Sequence, residues 1–420
     1  MKIYKFGGAS VKDAAAVRNV YELLKDSERK NLLVVISAMG KSTNALELVW
    51  KAYIQHSENA YDLLNDVRRY HLEIVNELFD KEDEALLNEI NNLFVEIEWV
   101  LEEEPDQNHD FIYDQIVSLG ELLSTRIVAA YLNSKDIETE WLDVRNYLKS
   151  DNHYREANIN WSESEELVIK EIPKLAEEKL LITQGFIACT SENYTTTLGR
   201  EGSDYTAAIF ANVLDAESLT IWKDVPGVLT ADPKLFSNAV KLDDIPYAEA
   251  IEMTYYGATV IHPKTIKPLQ NKKIPLYVKP FLSPLESGTA VGKKENVEFK
   301  HPIIIVKKNQ LLISFSTNDF SFIAENNLSE IIGVISNFDI KINTMQNSAM
   351  SFSICIDDND KAEKLIALLK PKYKIVYNKE IELITIRHYN NEVIDEFLST
   401  YILLLEQRSR STIQLVLKSK

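Results

Sequence analysis

The sequence predicts an α/β domain built on a mainly parallel sheet, followed by smaller α+β units. Three observations carry that expectation. Residues 31–37 are almost purely Leu, Val and Ile, the pattern of a strand covered on both faces. Strands of this kind alternate with helix-period segments through the first two thirds of the chain. Beyond residue 283 the rhythm shortens, and two sets of similar βαβ order follow one another, as in an internal duplication.

Taken in order, residues 1–6 alternate as a strand and run into Gly7, Gly8, Ala9 and Ser10 before a helix expected near 11–24. The glycines permit positive φ and close backbone approach, and Ser10 with Asp13 reads as a capping box. Such a turn either cradles a phosphate on its N–H groups or simply joins strand to helix. Lys5 adds a positive charge beside it. From about 45 to 105 the pattern becomes long amphipathic helices broken near 80–84, a helical hairpin inserted into the sheet domain. Strands return at 180–187, 218–223 and 274–279. The polar stretch 283–300, with Pro284, Gly288, Gly292 and the pair Lys293-Lys294, reads as a linker. We therefore expect one domain over 1–285, a linker over 286–300 and a second region over 301–420.

That second region should hold strands at 302–307 and 310–316, a helix at 328–337, strands at 341–346 and 350–356, a helix at 360–369 and a strand at 374–376. A second set begins at 381–387, continues with a helix at 391–406 and closes with 412–418. It runs out of chain before supplying its last helix and strand.

Size and charge restrict the function classes. A chain of 420 residues has length for two or three cores. A formal charge of −18 opposes nucleic acid or an anionic membrane as partner, so any polyanionic ligand must be held by a local basic cluster. Cys189 and Cys355 lie far apart and form no C-x-x-C pair, which fits a reducing cytosol. With no charged and apolar leader, and no apolar run approaching the ~18 residues of a spanning helix, a cytoplasmic location is expected.

Several segments can carry chemistry. The run TTTLGREGSD at 195–204 is glycine-rich and precedes a helix; it reads as a second anion cradle with Arg200 as a planar fork, or as a surface loop capped at Ser203. Lys223 and Asp224 follow a strand and lead to Asp232-Pro233-Lys234, charges that suit nucleotide phosphates with a divalent ion, or merely a solvated turn. Glu121 sits in a helix, where a Glu usually belongs to a solvated face, but its neighbours Ile116, Val117, Leu119, Leu122 and Leu123 make a largely apolar setting that favours its pointing into a site. His262 belongs to an HPK turn and reads as a cap. P-loop and protein-kinase signatures are absent, as is any His and Cys spacing for zinc.

Seven segments in order resemble the amino acid kinase family, and within it the aspartate kinases: KFGGAS from Lys5, SAMGKSTN from Ser37, GELLSTR from Gly120, TQGFIA from Thr183, TTLGREGSD from Thr196, WKDVPGVLTADPK from Trp222 and EAIEMTYYGATVIHP from Glu249. The C-terminal sets are similar to ACT modules, one over 309–378 and a shortened one over 379–420 completed by strand 302–307. The resemblance implies a three-layer αβα sandwich with ferredoxin-like regulatory units. It also implies transfer of the γ-phosphoryl group of ATP to the β-carboxylate of L-aspartate, with Mg2+ between the phosphates and few direct protein ligands.

By motif position, the resemblance makes Lys5, Gly8 and Asp204 the catalytic residues. Lys5 would bridge the phosphates, the amides of Gly7 and Gly8 would help, and Asp204 would orient the ammonium. Arg200 would clamp the substrate α-carboxylate, Glu121 would pair with its ammonium, and Ser37, Thr43 and Ser203 would supply hydroxyls. Nucleotide contacts would come from Lys5, Gly7, Gly8, Lys223, Asp224, Leu229, Lys234, Thr259 and Val260. An amino acid effector, lysine or threonine, would bind around Ile342, Asn343, Asn347 and Ser348, and a homodimer or larger assembly would form through ACT edge strands.

The chain departs from the family at four points: Leu229 stands where an aromatic is common, Thr259 where a lysine is common, and Glu201 where a glycine is usual, while the second ACT unit is short. Trp222 or Lys264 could compensate at the nucleotide, and Glu201 could point to solvent. A non-catalytic amino acid sensor with a kinase-like domain, or another amino acid kinase, is the alternative reading.

Overall fold

The computed structural model describes residues 1–420 except Glu28, Asp106, Thr259 and Phe320. By compactness the chain divides into two units. One comprises Met1–Val228, Lys241–Ile251 and Val260–Val297, the other Leu229–Val240, Glu252–Thr259 and Glu298–Lys420. Two short stretches that precede the linker, 229–240 and 252–259, thus cluster with the C-terminal region.

The first unit is a three-layer αβα sandwich around an eight-stranded sheet. Its strands are β1 (Lys2–Phe6), β2 (Leu32–Ile36), β3 (Thr139–Leu142), β4 (Leu180–Gln184), β7 (Ser218–Lys223), β8 (Asp244–Ile245), β9 (Leu276–Pro280) and β10 (Thr289–Val291). The short ladder of β5 (Ile187–Cys189) with β6 (Thr195–Thr197) stands apart as its own sheet. The order is β3-β4-β2-β1-β7-β9-β10-β8, parallel from β3 to β9, with β10 antiparallel to β9. All five residues of β2 are buried, which is why its sequence shows no polar alternation. The central strands β1, β2, β4 and β7 all end on one side, so the loops after them gather at the carboxyl edge where open α/β sheets bind ligands.

The inserted helices, Ala60–Leu78 and Glu84–Glu102, are part of the main core. Leu64, Val67, Ile90 and Phe94 pack in the same apolar cluster as Phe6, Ile36 and Leu123. Burying Phe94 alone is worth roughly 2–3 kcal/mol.

The start of the chain departs from expectation in its cap. Gly8–Val11 is a single 3-10 turn, and the helix Ala14–Lys25 begins only after Asp13, whose Oδ1 accepts from the N–H of Ala16 at 2.8 Å. Ser10 is buried against the Trp222 carbonyl instead of capping. Gly7 keeps an ordinary φ of −77°, so the turn does not use the left-handed region there. What requires a glycine is crowding: a Cβ at Gly8 would lie 2.8 Å from the carbonyl oxygens of both Ala38 and Gly40.

The second unit is one six-stranded antiparallel sheet. It contains β11 (Ile303–Thr317), β12 (Thr344–Asn347), β13 (Phe352–Asp357), β14 (Tyr373–Arg387), β15 (Tyr401–Arg408) and β16 (Thr412–Ser419), ordered β12-β13-β11-β14-β16-β15. The strands expected at 302–307 and 310–316 are one continuous β11, and those at 374–376 and 381–387 are one continuous β14. The two pair along their length, with register shifts at Lys307, Gln310 and Leu312 and Asn309 at a φ of +54°. Leu311, Ile313 and Phe315 build one core with the helices Glu325–Asn337 and Asp360–Leu369. Ile384, Ile386 and Leu415 build another with the helix Asn391–Thr400. Strand 303–307 does complete the second half, pairing with 383–387.

The helix expected over 391–406 stops at Thr400. Tyr401 is extended, and Tyr401–Arg408 pairs with β16. The run Tyr-Ile-Leu-Leu-Leu satisfies either period, and the neighbouring strand decides it. The second half therefore has four strands and lacks only its second helix.

Candidate active site

At the carboxyl edge of the first unit's sheet lies a cleft of about 750 Å³, lined by Lys5, Ser37, Thr43, Glu121, Arg200, Ser203, Asp204 and Lys223, among others. Lys5 comes from β1 and Lys223 from the end of the adjacent β7. In the register Lys5 lies opposite Ile221, so Lys223, two residues on, shares its face. Asp204 sits in the first turn of the helix Gly202–Val213, which reaches the cleft because Gly185 lets it close in: a Cβ there would stand 2.4 Å from that of Ser203.

These elements converge on one carboxylate. Asp204, 2% exposed, has Oδ1 2.6 Å from Lys5 Nζ and Oδ2 3.3 Å from Lys223 Nζ. Burial alone would push its carboxyl up, but the two ammonium groups outweigh it and hold the pKa below the usual range. Lys223 feels the converse: burial opposes its charge, while Asp204 and Glu201 favour it more strongly and raise its pKa. The Lys223 ammonium also donates to the carbonyl of Val260.

Glu121 lies in the helix Leu119–Ser134, 2% exposed, and its Oε2 has no hydrogen-bond partner among the described residues. Burial pushes its carboxyl up to about 8, against the N–H groups of Glu121 and Ala38 and the charge of Lys5. Arg200 is exposed at the rim. Gly7 and Gly8 follow Lys5 directly, and the Gly8 carbonyl accepts from Gly40 at 3.0 Å.

Glu201 does not point to solvent. It occupies the left-handed region at a φ of +53°, which explains the fitness of a glycine there, and its Oε2 is buried in the cleft without a hydrogen-bond partner. Burial raises its pKa, with Lys223 the leading charge acting the other way.

The remaining nucleotide candidates are placed separately. Asp224 is exposed, Leu229 and Lys234 fall in the stretch that clusters with the second unit, and Thr259 lies outside the described residues. The effector candidates spread along one edge of the second unit. Ile342 packs against its apolar cluster, and Asn347 and Ser348 are exposed, with Ser348 Oγ held by Ser351. Asn343 is buried, donating to Gln310 Oε1 at 2.7 Å and Asp357 Oδ1 at 3.0 Å and accepting from Lys307 at 2.7 Å. His262 caps the helix Pro263–Lys272, accepting from the Lys264 N–H.

Sequence reasoning missed one wall of the cleft: Glu47, Asp110, Tyr113 and the loop carrying His153, Tyr154, Arg155 and Glu156. Buried Asp114 assembles this wall. Its carboxylate accepts from Thr197 Oγ1 at 2.7 Å, from the Thr197 N–H at 2.9 Å and from the Arg155 N–H at 3.0 Å, while burial pushes its pKa up to about 6. Arg155 then lies 4.1 Å from the Tyr113 ring centroid, and Tyr113 donates to Glu47 at 2.7 Å. The available signal was the one that marked Glu121: a carboxylate amid Ile112, Tyr113, Ile116 and Val117.

The cleft thus sets Lys5, Arg155, Arg200 and Lys223 against buried carboxylates, two of which, Glu121 and Glu201, each bury an oxygen without a hydrogen-bond partner among the described residues, an arrangement suited to holding a zwitterion beside a polyanion. Comparison with known proteins gives four findings. The amino acid kinase family matches residues 1–280. The chain is 31% identical over 355 residues to lysine-sensitive aspartokinase 3 of Escherichia coli, covering 84% of this chain and 78% of that one. It is 34% identical over 299 residues to the chloroplastic bifunctional aspartokinase/homoserine dehydrogenase 2 of Arabidopsis thaliana, covering 69% of this chain and about a third (32%) of that longer protein. Among solved structures, E. coli aspartokinase III in complex with aspartate and ADP superposes with a TM-score of 0.84 at 26% identity, covering 100% of this chain and 96% of that one.

Proposed function

The chain belongs to the amino acid kinase family, and on that footing we propose that it is an aspartate kinase, transferring the γ-phosphoryl group of ATP to the β-carboxylate of L-aspartate. The product is 4-phospho-L-aspartate, the entry to lysine, threonine and methionine synthesis. The observation that carries this reading is the cleft itself, where Lys5, Lys223 and Asp204 form one buried ionic cluster beside Glu121, whose buried Oε2 has no hydrogen-bond partner among the described residues.

The chemistry needs little more than position and charge. The attacking carboxylate, with an ordinary pKa near 4, is ionised at neutral pH and requires no general base. The barrier lies in bringing an anion up to a polyphosphate. Lys5, held by Asp204, neutralises charge on the transferring oxygens, and the amides of Gly7 and Gly8 assist. Arg200 takes the α-carboxylate in a fork, Glu121 takes the α-ammonium, and Ser37, Thr43 and Ser203 add hydroxyls. On the nucleotide side stand Lys223 and Val260, with Asp224, Leu229, Lys234 and Thr259 assigned by motif.

No group of three His, Cys, Asp or Glu that could hold a metal occurs among the described residues. Mg2+ would enter with ATP and offset the charge of its phosphates, few protein groups holding it directly. No helix among the described residues is long and apolar enough to cross a membrane. We place the catalytic work in residues 1–285 and regulation in 301–420, with lysine as the first effector to test, given the lysine-sensitive relative. Self-association would use the sheet edges β12 and β15, where Met345 and Ile402 are exposed.

The test is an incubation with ATP, Mg2+, hydroxylamine and either aspartate or glutamate. Aspartyl hydroxamate from aspartate alone is expected. A chain that binds both ligands and forms no hydroxamate from either acid would be a sensor.

A further inference from the structure

We propose that Asp114 is a positioning residue for the acceptor: it locks the loop of Arg155 to the strand that leads into Arg200, and so sets how tightly aspartate is held without touching it. The inference rests on the kinase reading and names a residue that tunes the acceptor end of its cleft.

The lock is a closed ring of hydrogen bonds. Asp114 is fully buried on the helix His109–Val117, where its Oδ1 takes the Thr197 hydroxyl and its Oδ2 takes two backbone N–H groups, those of Thr197 and Arg155. Thr197 answers on its other side, its carbonyl accepting from the Ala157 N–H at 2.9 Å. Residues 155–157 and the end of β6 therefore cannot part without breaking charge-assisted bonds. Gln115, the next residue on the helix, adds a bond to the Thr195 carbonyl at 2.8 Å.

From Thr197 the lock reaches Arg200 within three residues. Leu198 donates to the Phe186 carbonyl at 2.8 Å, and Gly199 turns through the left-handed region at a φ of +75°. A Cβ at Gly199 would stand 3.1 Å from Glu156 Cγ and 3.4 Å from the Arg155 carbonyl oxygen, so this turn rests directly on the loop that Asp114 holds. The Gly199 carbonyl accepts from the Gly202 N–H at 3.0 Å and closes the turn. Arg200 is exposed at the rim and makes no side-chain hydrogen bond or ion pair among the described residues, so it takes its aim from the backbone beneath it. Arg155 is itself held at a φ of +69°, which a non-glycine residue keeps where its surroundings fix it. With its guanidinium engaged by Asp110 at 3.3 Å and by the Tyr113 ring, the loop offers Arg200 a fixed support. A fork that is already aimed loses less freedom on closing over a carboxylate.

The experiment weakens the lock in the full chain and reads aspartate and ADP binding by calorimetry, with kcat and KM alongside. Asp114→Ala removes all three bonds and should weaken aspartate about tenfold or more, while ADP affinity and kcat at saturating aspartate stay within about threefold of native. Asp114→Asn, whose carbonyl still accepts both N–H groups and whose amide can meet the Thr197 hydroxyl, should return aspartate affinity to within about threefold of native. Thr197→Val takes away only the hydroxyl and guards against a folding failure of Asp114→Ala; it should weaken aspartate about fivefold, and Thr197→Ser should restore it. Native-like aspartate binding by Asp114→Ala or by Thr197→Val, an Asp114→Asn no better than Asp114→Ala, or an equal loss of ADP and aspartate would each overturn the proposal. Failure of the kinase reading registers elsewhere, as native protein that binds aspartate and ADP yet makes no aspartyl hydroxamate.

Discussion

Two buried polar centres in this chain are built on opposite terms. In the first unit, Glu121 and Glu201 each bury a carboxylate oxygen with no hydrogen-bond partner among the described residues. In the second, Gln310 and Asn343 interlock with Asp357 and Lys307, and Gln310 donates to Asp357 at 2.8 Å while accepting from Asn343. Leaving a buried acceptor unpaired costs about 1–3 kcal/mol, a cost that a ligand or a water filling the cleft would offset. The second network pairs its buried amides within itself and so specifies strand register; the first leaves acceptors open to a cation.

The sharpest way to break that comparison is Lys5→Ala. We expect phosphoryl transfer to fall by about 10³-fold or more while circular dichroism still reports a folded chain, because a preorganised charge lost from the reacting centre acts on the rate. Near-native turnover would remove the cleft from the chemistry. Gln310→Ala should do the reverse. It removes the Asn343 and Asp357 partners that Gln310 supplies and leaves a cavity at a buried strand position, and should cost about 2 kcal/mol in denaturant unfolding, with phosphorylation per folded molecule unchanged when no effector is present. A stability loss below the error of that measurement would show the network to be ornamental.

Glu121 sharpens the contrast through pH. Its folded pKa, about 8, lies above its ordinary 4.5, so between these values the folded chain holds a proton that the unfolded chain has released. Stability from this group is therefore full below pH ~4.5 and falls as pH rises toward 8. Glu121→Gln should flatten that slope in unfolding curves taken across this range. If the carboxylate receives the substrate ammonium, aspartate binding must release a proton below pH 8. Calorimetry in buffers of different ionisation heat should detect it in the native chain and not in the variant. The smallest effect is expected from Glu201→Gly, which relieves a left-handed backbone and should raise stability by up to about 1 kcal/mol in denaturant unfolding. A destabilised variant would mean the buried carboxylate contributes more than its backbone costs.

Most of the cleft was legible because its residues sit at strand ends and helix starts with local signatures. Lys5 before Gly7-Gly8, Arg200 before Gly202 and Glu121 in an apolar helix all announce themselves within a few residues. The wall at Tyr113 and Arg155 does not, since it is assembled over long range by Asp114 reaching Thr197. The sheet order of the second unit was partly legible, down to the strand at 303–307 completing the second half. The missed strand at 401–408 and the fusion of four short strands into two long ones share one cause: cross-strand pairing overrode local pattern, at Tyr401 against Ser419 and through the kink at Asn309.

Those two fifteen-residue strands carry a genetic consequence. Because β11 and β14 each donate one stretch to either half, no single cut in the gene separates the two halves intact. The inner half is contiguous and could be traded as a cassette, whereas the outer half, completed by residues 303–307, is split around it and would have to be inherited as two pieces.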